Sequence, residues 1–253
     1  MIFRHVKAHI EKENWFAVGV DFLIVVVGVF VGLQVSNWNE AQSFDNQETK
    51  LLYDLKKEME NSILSTNQKI DSYTQVAAAS KRSLDFLSSK KSCETECWPI
   101  LVDFLHASQW QGVDVRRTTY ANMRRLGLPR AGAVLDTVEA YLAQVDAAIQ
   151  AYSDKPHYRV VVRQLTSYEA MEFYWQNCHF VLAGVENYDL SCSKGVTDHI
   201  ALQIVEAIAQ HPEIKPNLTQ WVSVAMHVPI GLSNQNALAE ITITAIDAEL
   251  KRR

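Results

Sequence analysis

Glycine and proline are scarce in this chain, nine and six copies in 253 residues. A turn-rich β fold needs more of these breakers, so the composition points to helices. No lysine or arginine falls between Lys12 and Lys50, and cysteine is absent before Cys93. Also missing are a glycine-rich phosphate loop, a G-x-S-x-G elbow, an H-E-x-x-H pair and any C-x-x-C. The nucleotide, hydrolase and metal chemistries that depend on those patterns lose their usual sequence support. The net charge of −5 is a poor match for nucleic acid, which attracts basic surfaces. The expectation is a protein without catalytic residues, cofactor or metal.

The stretch Phe16–Trp38, FAVGVDFLIVVVGVFVGLQVSNW, is present where the charges are not. Phe22–Leu33 is an unbroken apolar run, and Trp15 and Trp38 flank the wider segment. A helix rising about 1.5 Å per residue sets the two tryptophans roughly 35 Å apart, enough for a hydrocarbon core of about 30 Å with an aromatic at each interface. After Leu33 comes QVSNWNEA, which lacks the small residues of a signal-peptidase site. The segment therefore reads as an uncleaved anchor. Arg4, Lys7 and Lys12 precede it and no basic residue follows until Lys50. By the positive-inside rule the N-terminus is cytoplasmic and residues 39–253 lie outside, in the periplasm of a Gram-negative inner membrane.

Within the span, Asp21, Gly28 and Gly32 are seven and four apart and share a helix face, with Gln34 near the outer end. Gly28-Val-Phe-Val-Gly32 is a G-x-x-x-G pattern, which lets another helix approach closely. An acid in a bilayer is tolerated where it meets protein. The expected partners are membrane lipid and a second transmembrane helix.

The end of the span, Gly32-Leu33-Gln34 followed by Asn37-Trp38-Asn39-Glu40, resembles the signature of a bacterial family of single-pass membrane proteins. In that family the anchor closes on G-I-x-x-x-L-Q-x-x-N-W-N-E and a mostly helical domain follows. This chain carries Val29 where isoleucine is common. Thr118-Thr119-Tyr120, then Gly127 and an apolar helix bearing Tyr141, are a second echo. The resemblance implies topology and carries no activity with it.

At 48% hydrophobic and 21% charged, the part beyond the anchor has the composition of a folded domain. Residues 40–90 contain neither Gly nor Pro. Leu52, Leu55, Met59, Ile63, Thr66, Ile70, Tyr73, Ala77, Ser80, Leu84 and Leu87 step by threes and fours. This is the seam of a coiled coil or a bundle. Leu51, Leu64 and Val76 broaden it beyond a two-strand seam, which turns it towards its own domain rather than a sister subunit.

Further helices are expected at Trp98–Gln109, Arg116–Leu126, Ala131–Ser153, His157–Cys178, Asp198–Gln210, Asn217–Val228 and Asn236–Leu250. Asn187–Gly195 reads as a loop and Pro229–Asn234 as a turn. The expected organisation is a cytoplasmic stub (1–13), a transmembrane helix (14–38), a long emergent helix (39–92) and an extracytoplasmic all-α bundle (93–253).

All four cysteines lie beyond the anchor, where disulfides persist. Sequence proximity favours Cys93–Cys97 and Cys178–Cys192 among the three pairings. Arg116, Arg117, Arg124, Arg125 and Arg130 are the only dense basic cluster in the outer part, a candidate contact for an anion or lipid headgroups, or else a set of ion-pair partners. The aromatic helix after Pro156, with Glu169, Glu172 and His179, could line a pocket, although aromatics at helical spacing are usually core. His5, His9 and Glu13 share a face in the stub, most simply as part of a charged interfacial turn. The sequence thus predicts a membrane-anchored scaffold or accessory subunit, or alternatively a periplasmic module that binds a small ligand and acts through a membrane partner.

Overall fold

The computed structural model describes residues 15–253 apart from 90, 183 and 193, with side chains from Gly19 onward. The histidines and basic residues of the stub and the Trp15 ring lie outside the described residues. The described residues are 78% helical, and the chain divides into two units, one ending at Leu51 and one comprising Leu52–Arg253.

Helix α1, Trp15–Ser89, is a single unbroken element of 75 residues. No break separates the expected membrane segment from the expected emergent helix, because nothing between them breaks a helix: no Pro or Gly follows Gly32 until well past Ser89. In the first unit every residue from 19 to 43 is exposed. Its apolar part has a mean hydropathy of 2.1 and is long enough to cross a membrane.

In the second unit α1 has one buried stripe. Leu52, Leu55, Met59, Thr66, Tyr73 and Val76 are all at most 4% exposed, whereas Leu64 is 59% exposed and does not belong to the stripe. The stripe meets α4 (Gly132–Tyr152) and α8 (Ile214–Arg252). The contacts are specific along its length. Lys56 pairs with Asp247 at 2.7 Å, the Ser62 and Tyr141 hydroxyls meet, and Gln235 Nε2 donates to Thr66 Oγ1 at 3.3 Å. The buried apolar side chains, each worth about 1.5–3 kcal/mol, outweigh the half-exposed ion pair, which serves register more than stability. Short helix α3, Thr118–Arg125, joins the same layer. Thr119 N–H donates to Glu58 Oε2 at 3.0 Å and Tyr120 Oη to Glu139 Oε1 at 3.0 Å. The Thr119 backbone and the Tyr120 side chain thereby clip α3 to α1 and α4.

Pro229 does not end a helix; α8 runs through it to Arg252. Proline removes one helical hydrogen bond and crowds the preceding turn. Packing on both sides offsets this, since Val228 and Leu232 are fully buried. Gly231 lets Tyr152 approach so closely that a Cβ there would stand 2.7 Å from its hydroxyl oxygen.

The remaining elements are α2 (Cys97–Ala107), α5 (His157–Leu165), α6 (Tyr168–Asn177), β1 (His179–Leu182), β2 (Val185–Tyr188) and α7 (Asp198–Gln210). The expected helix over 157–178 is two helices. Thr166 is extended, and Ser167 restarts the chain by accepting from Ala170 N–H at 3.3 Å, an N-cap in a new direction. Between α6 and the expected Asn187–Gly195 loop lies an unexpected two-stranded antiparallel hairpin, His179 opposite Tyr188 and Leu182 opposite Val185, whose second strand takes the first two residues of that loop. Disulfides Cys93–Cys97 and Cys178–Cys192 are both formed. The first precedes α2, whose N-cap Glu96 lies at φ 57°. Asp198 caps this helix from α7, accepting from Cys97 N–H at 3.3 Å, while Thr197 holds the N-cap position of α7 itself.

Candidate functional site

Four residues after α2 organise the interior: Ser108-Gln109-Trp110-Gln111. Ser108 and Gln109 are fully buried and Gln111 is 9% exposed. Buried amides without partners are costly, and these are met in full. Gln111 acts as a third strand in miniature. Its Oε1 accepts from Glu186 N–H and its Nε2 donates to Glu186 O, both at 2.9 Å. Tyr73 Oη donates to the Gln111 carbonyl at 2.6 Å. The hairpin is thereby tied to α1. Gln109 Nε2 donates to Tyr174 Oη at 2.8 Å, which leaves Oε1 facing α5.

Two guanidiniums share that oxygen. Arg159 Nη1 and Arg163 Nη2 each donate to Gln109 Oε1 at 3.1 Å. Arg159 Nη1 also donates to Ser108 O at 2.8 Å. The two arginines are one turn apart on α5, on the edge of the face that buries Tyr158 and Val162. Both are half-buried. All these acceptors are neutral, and among the described residues no carboxylate lies within 4.0 Å of either guanidinium. Burial lowers both pKa values, Arg163 to about 10 with Arg159 beside it as the next cause. Both stay charged at neutral pH.

The rim of this corner is aromatic and acidic. The Arg163 guanidinium stands 5.0 Å from the Trp175 ring centre, and His179 packs edge-on against the same ring at 4.6 Å. Glu186 holds Oε2 3.9 Å from His179 Nε2, too far for a hydrogen bond. Both atoms are buried and without a hydrogen-bond partner among the described residues. Burial lowers the His179 pKa, with Glu186 opposing, so the imidazole is neutral. Glu186 is the acid whose field favours both charged arginines, and its side chain is 32% exposed.

Trp110 points the other way. It helps wall a cleft of about 290 Å³ with Tyr73, Tyr152, Trp221, Asn217 and Lys155. Its Nε1 donates to Tyr152 O at 3.1 Å, and Lys155 Nζ stands 5.7 Å from its ring.

The residues singled out from the sequence lie elsewhere. Gly28 and Gly32 have nothing among the described residues within 4 Å of where a Cβ would sit; with Asp21 and Gln34 they lie on the exposed first unit. In the arginine-dense stretch, Arg117 pairs with Asp146 and Arg125 donates to Asn122, while Arg116, Arg124 and Arg130 are exposed. Of the aromatic helix, Tyr158 and Tyr174 are core and Tyr168 is 80% exposed. Glu169 and Glu172 are exposed on α6, and only His179 reaches the corner. Arg159 and Arg163 carried one readable signal, two cations four apart beside a buried helical face. Gln109 and Gln111 carried none.

Comparison with protein-family models, with curated proteins and with solved structures gives no match.

Proposed function

We propose that this chain is a membrane-anchored, non-catalytic binding module that takes a small anionic ligand at the Arg159–Arg163 corner and acts through a partner in the bilayer. One observation carries the reading: two half-buried guanidiniums held by neutral oxygens alone. Planar guanidinium forks match carboxylate and phosphate oxygens. A pair fixed side by side with no carboxylate among the described residues within 4.0 Å keeps that capacity for a ligand. The apolar helix, the basic residues before it and the cysteines beyond it support a bacterial inner-membrane anchor with the N-terminus inside and the bundle in the periplasm. Calorimetric titration of the detergent-solubilised full chain with sodium acetate, chloride matched, tests the site. Saturable heat that vanishes in Arg159→Gln/Arg163→Gln supports it; an equal titration in both sinks it.

A second reading, a scaffold or accessory subunit, draws on the uncovered face of Gly28 and Gly32. Glycines four apart let a second helix approach closely. Gly28→Ile should then lower the mass of the assembly in mild detergent, whereas Val27→Ile, about 100° round the helix, leaves it intact. A parent that is already monomeric removes this reading.

A further inference from the structure

The corner is not purely cationic. Arg159 Nε and Nη2 and Arg163 Nη1 have no hydrogen-bond partner among the described residues. They are donors left over. Beside them is one acceptor left over. Glu186 has both backbone groups committed to Gln111, yet its carboxylate makes no hydrogen bond among the described residues. Oε2 is tucked against His179, and Oε1 is not among the buried atoms. With the side chain 32% exposed, Oε1 is the oxygen that a ligand can reach.

A simple anion would use only half of this arrangement. It would satisfy the guanidinium donors and be repelled by Glu186, because like charges at short range disfavour one another. A ligand with both signs uses all of it. We propose that the corner is built for a small zwitterion, with a carboxylate on Arg159 and Arg163 and an ammonium on Glu186. The inference rests on the anion-binding reading above and names the ligand class for that same site.

The two ideas separate in one experiment on the detergent-solubilised full chain. Glycine, β-alanine and 4-aminobutyrate are titrated beside acetate, propionate and butyrate, each amino acid against the acid that lacks its amine. Inorganic phosphate is a further arm. At least one amino acid should bind about tenfold more tightly than its partner acid, the worth of one added charge-assisted hydrogen bond. Glu186→Gln should erase that advantage while leaving the plain acid's affinity within about twofold or improved, since a repulsive charge has gone. Arg159→Gln/Arg163→Gln should lose every ligand. Should that double variant fail to fold, Arg159→Lys/Arg163→Lys keeps the charge and loses the fork, and should weaken each carboxylate. If the plain acids bind and no amino acid does better, the zwitterion inference is overturned and the anion site stands. Tightest binding by phosphate overturns it in favour of a phosphate site. If nothing binds, both fall.

Discussion

The second unit holds two groups of arginines, one dense in sequence and one joined by a shared acceptor. Arg116 to Arg130 place five cations in fifteen residues. The structure spreads them over an exposed turn and a short helix, and Arg117 is neutralised by Asp146. Arg159 and Arg163 are only two, but one helical turn and one shared glutamine oxygen put them side by side. A site depends on what the neighbours of a charge leave unsatisfied. Exposed arginines are satisfied by water, whereas half-buried ones held by neutral oxygens retain a demand for an anion.

The largest effect on stability should come from the group that holds the pair. Gln109→Leu keeps the volume and removes hydrogen bonds to Tyr174 and to both guanidiniums. Leaving the buried Tyr174 hydroxyl unpaired and taking one acceptor from each half-buried guanidinium should cost about 3 kcal/mol, near 10 °C in melting temperature for a domain of this size. Asp146→Asn, which breaks the ion pair of the other group, should not move the melting temperature measurably. Equal losses from the two changes would show that the groups are held alike.

Next comes acid. His106 is 1% exposed, packs on Tyr174 and Tyr188, and donates from Nε2 to the Cys178 carbonyl at 3.4 Å. Burial is the main cause that lowers its pKa to about 4. The unfolded chain takes up this proton first, near pH 6.5. Its contribution is complete above pH 6.5, is lost as pH falls towards 4, and changes no further below that. The loss across this window is about 3 kcal/mol. Denaturant melts of His106→Phe should be flatter over the window by that amount. His179 is lowered as well, so some acid sensitivity should remain in the variant. A variant with the parent's slope would place the sensitivity elsewhere.

Where a signal was periodic and long, it was legible. The apolar run, the seam from Leu52 to Tyr73 and the helical spacing of Val134, Leu135, Val138, Leu142, Val145 and Ile149 each repeat often enough to survive a local error, although Ile149 proves to be 37% exposed. Isolated features misled. Pro229 signals a stop by its own chemistry, and only its packed neighbours and the Gly231–Tyr152 contact say otherwise. The hairpin hid because each strand has four residues and β1 leaves Phe180, Val181 and Leu182 all exposed, without the alternation that marks a strand. The corner itself was visible only as Arg159 and Arg163 four apart. Nothing local says that Gln109, fifty positions earlier, folds back to hold them.

The central claim is tested most directly by acetate calorimetry on three versions of the full chain run side by side: the parent, Arg159→Gln/Arg163→Gln, and Arg124→Gln/Arg125→Gln. Each double change removes two positive charges from the same domain, so bulk electrostatics are matched. Saturable binding in the parent and in Arg124→Gln/Arg125→Gln, with none in Arg159→Gln/Arg163→Gln, is the expected result. Equal weakening in both double variants, or binding that survives in Arg159→Gln/Arg163→Gln, would contradict it.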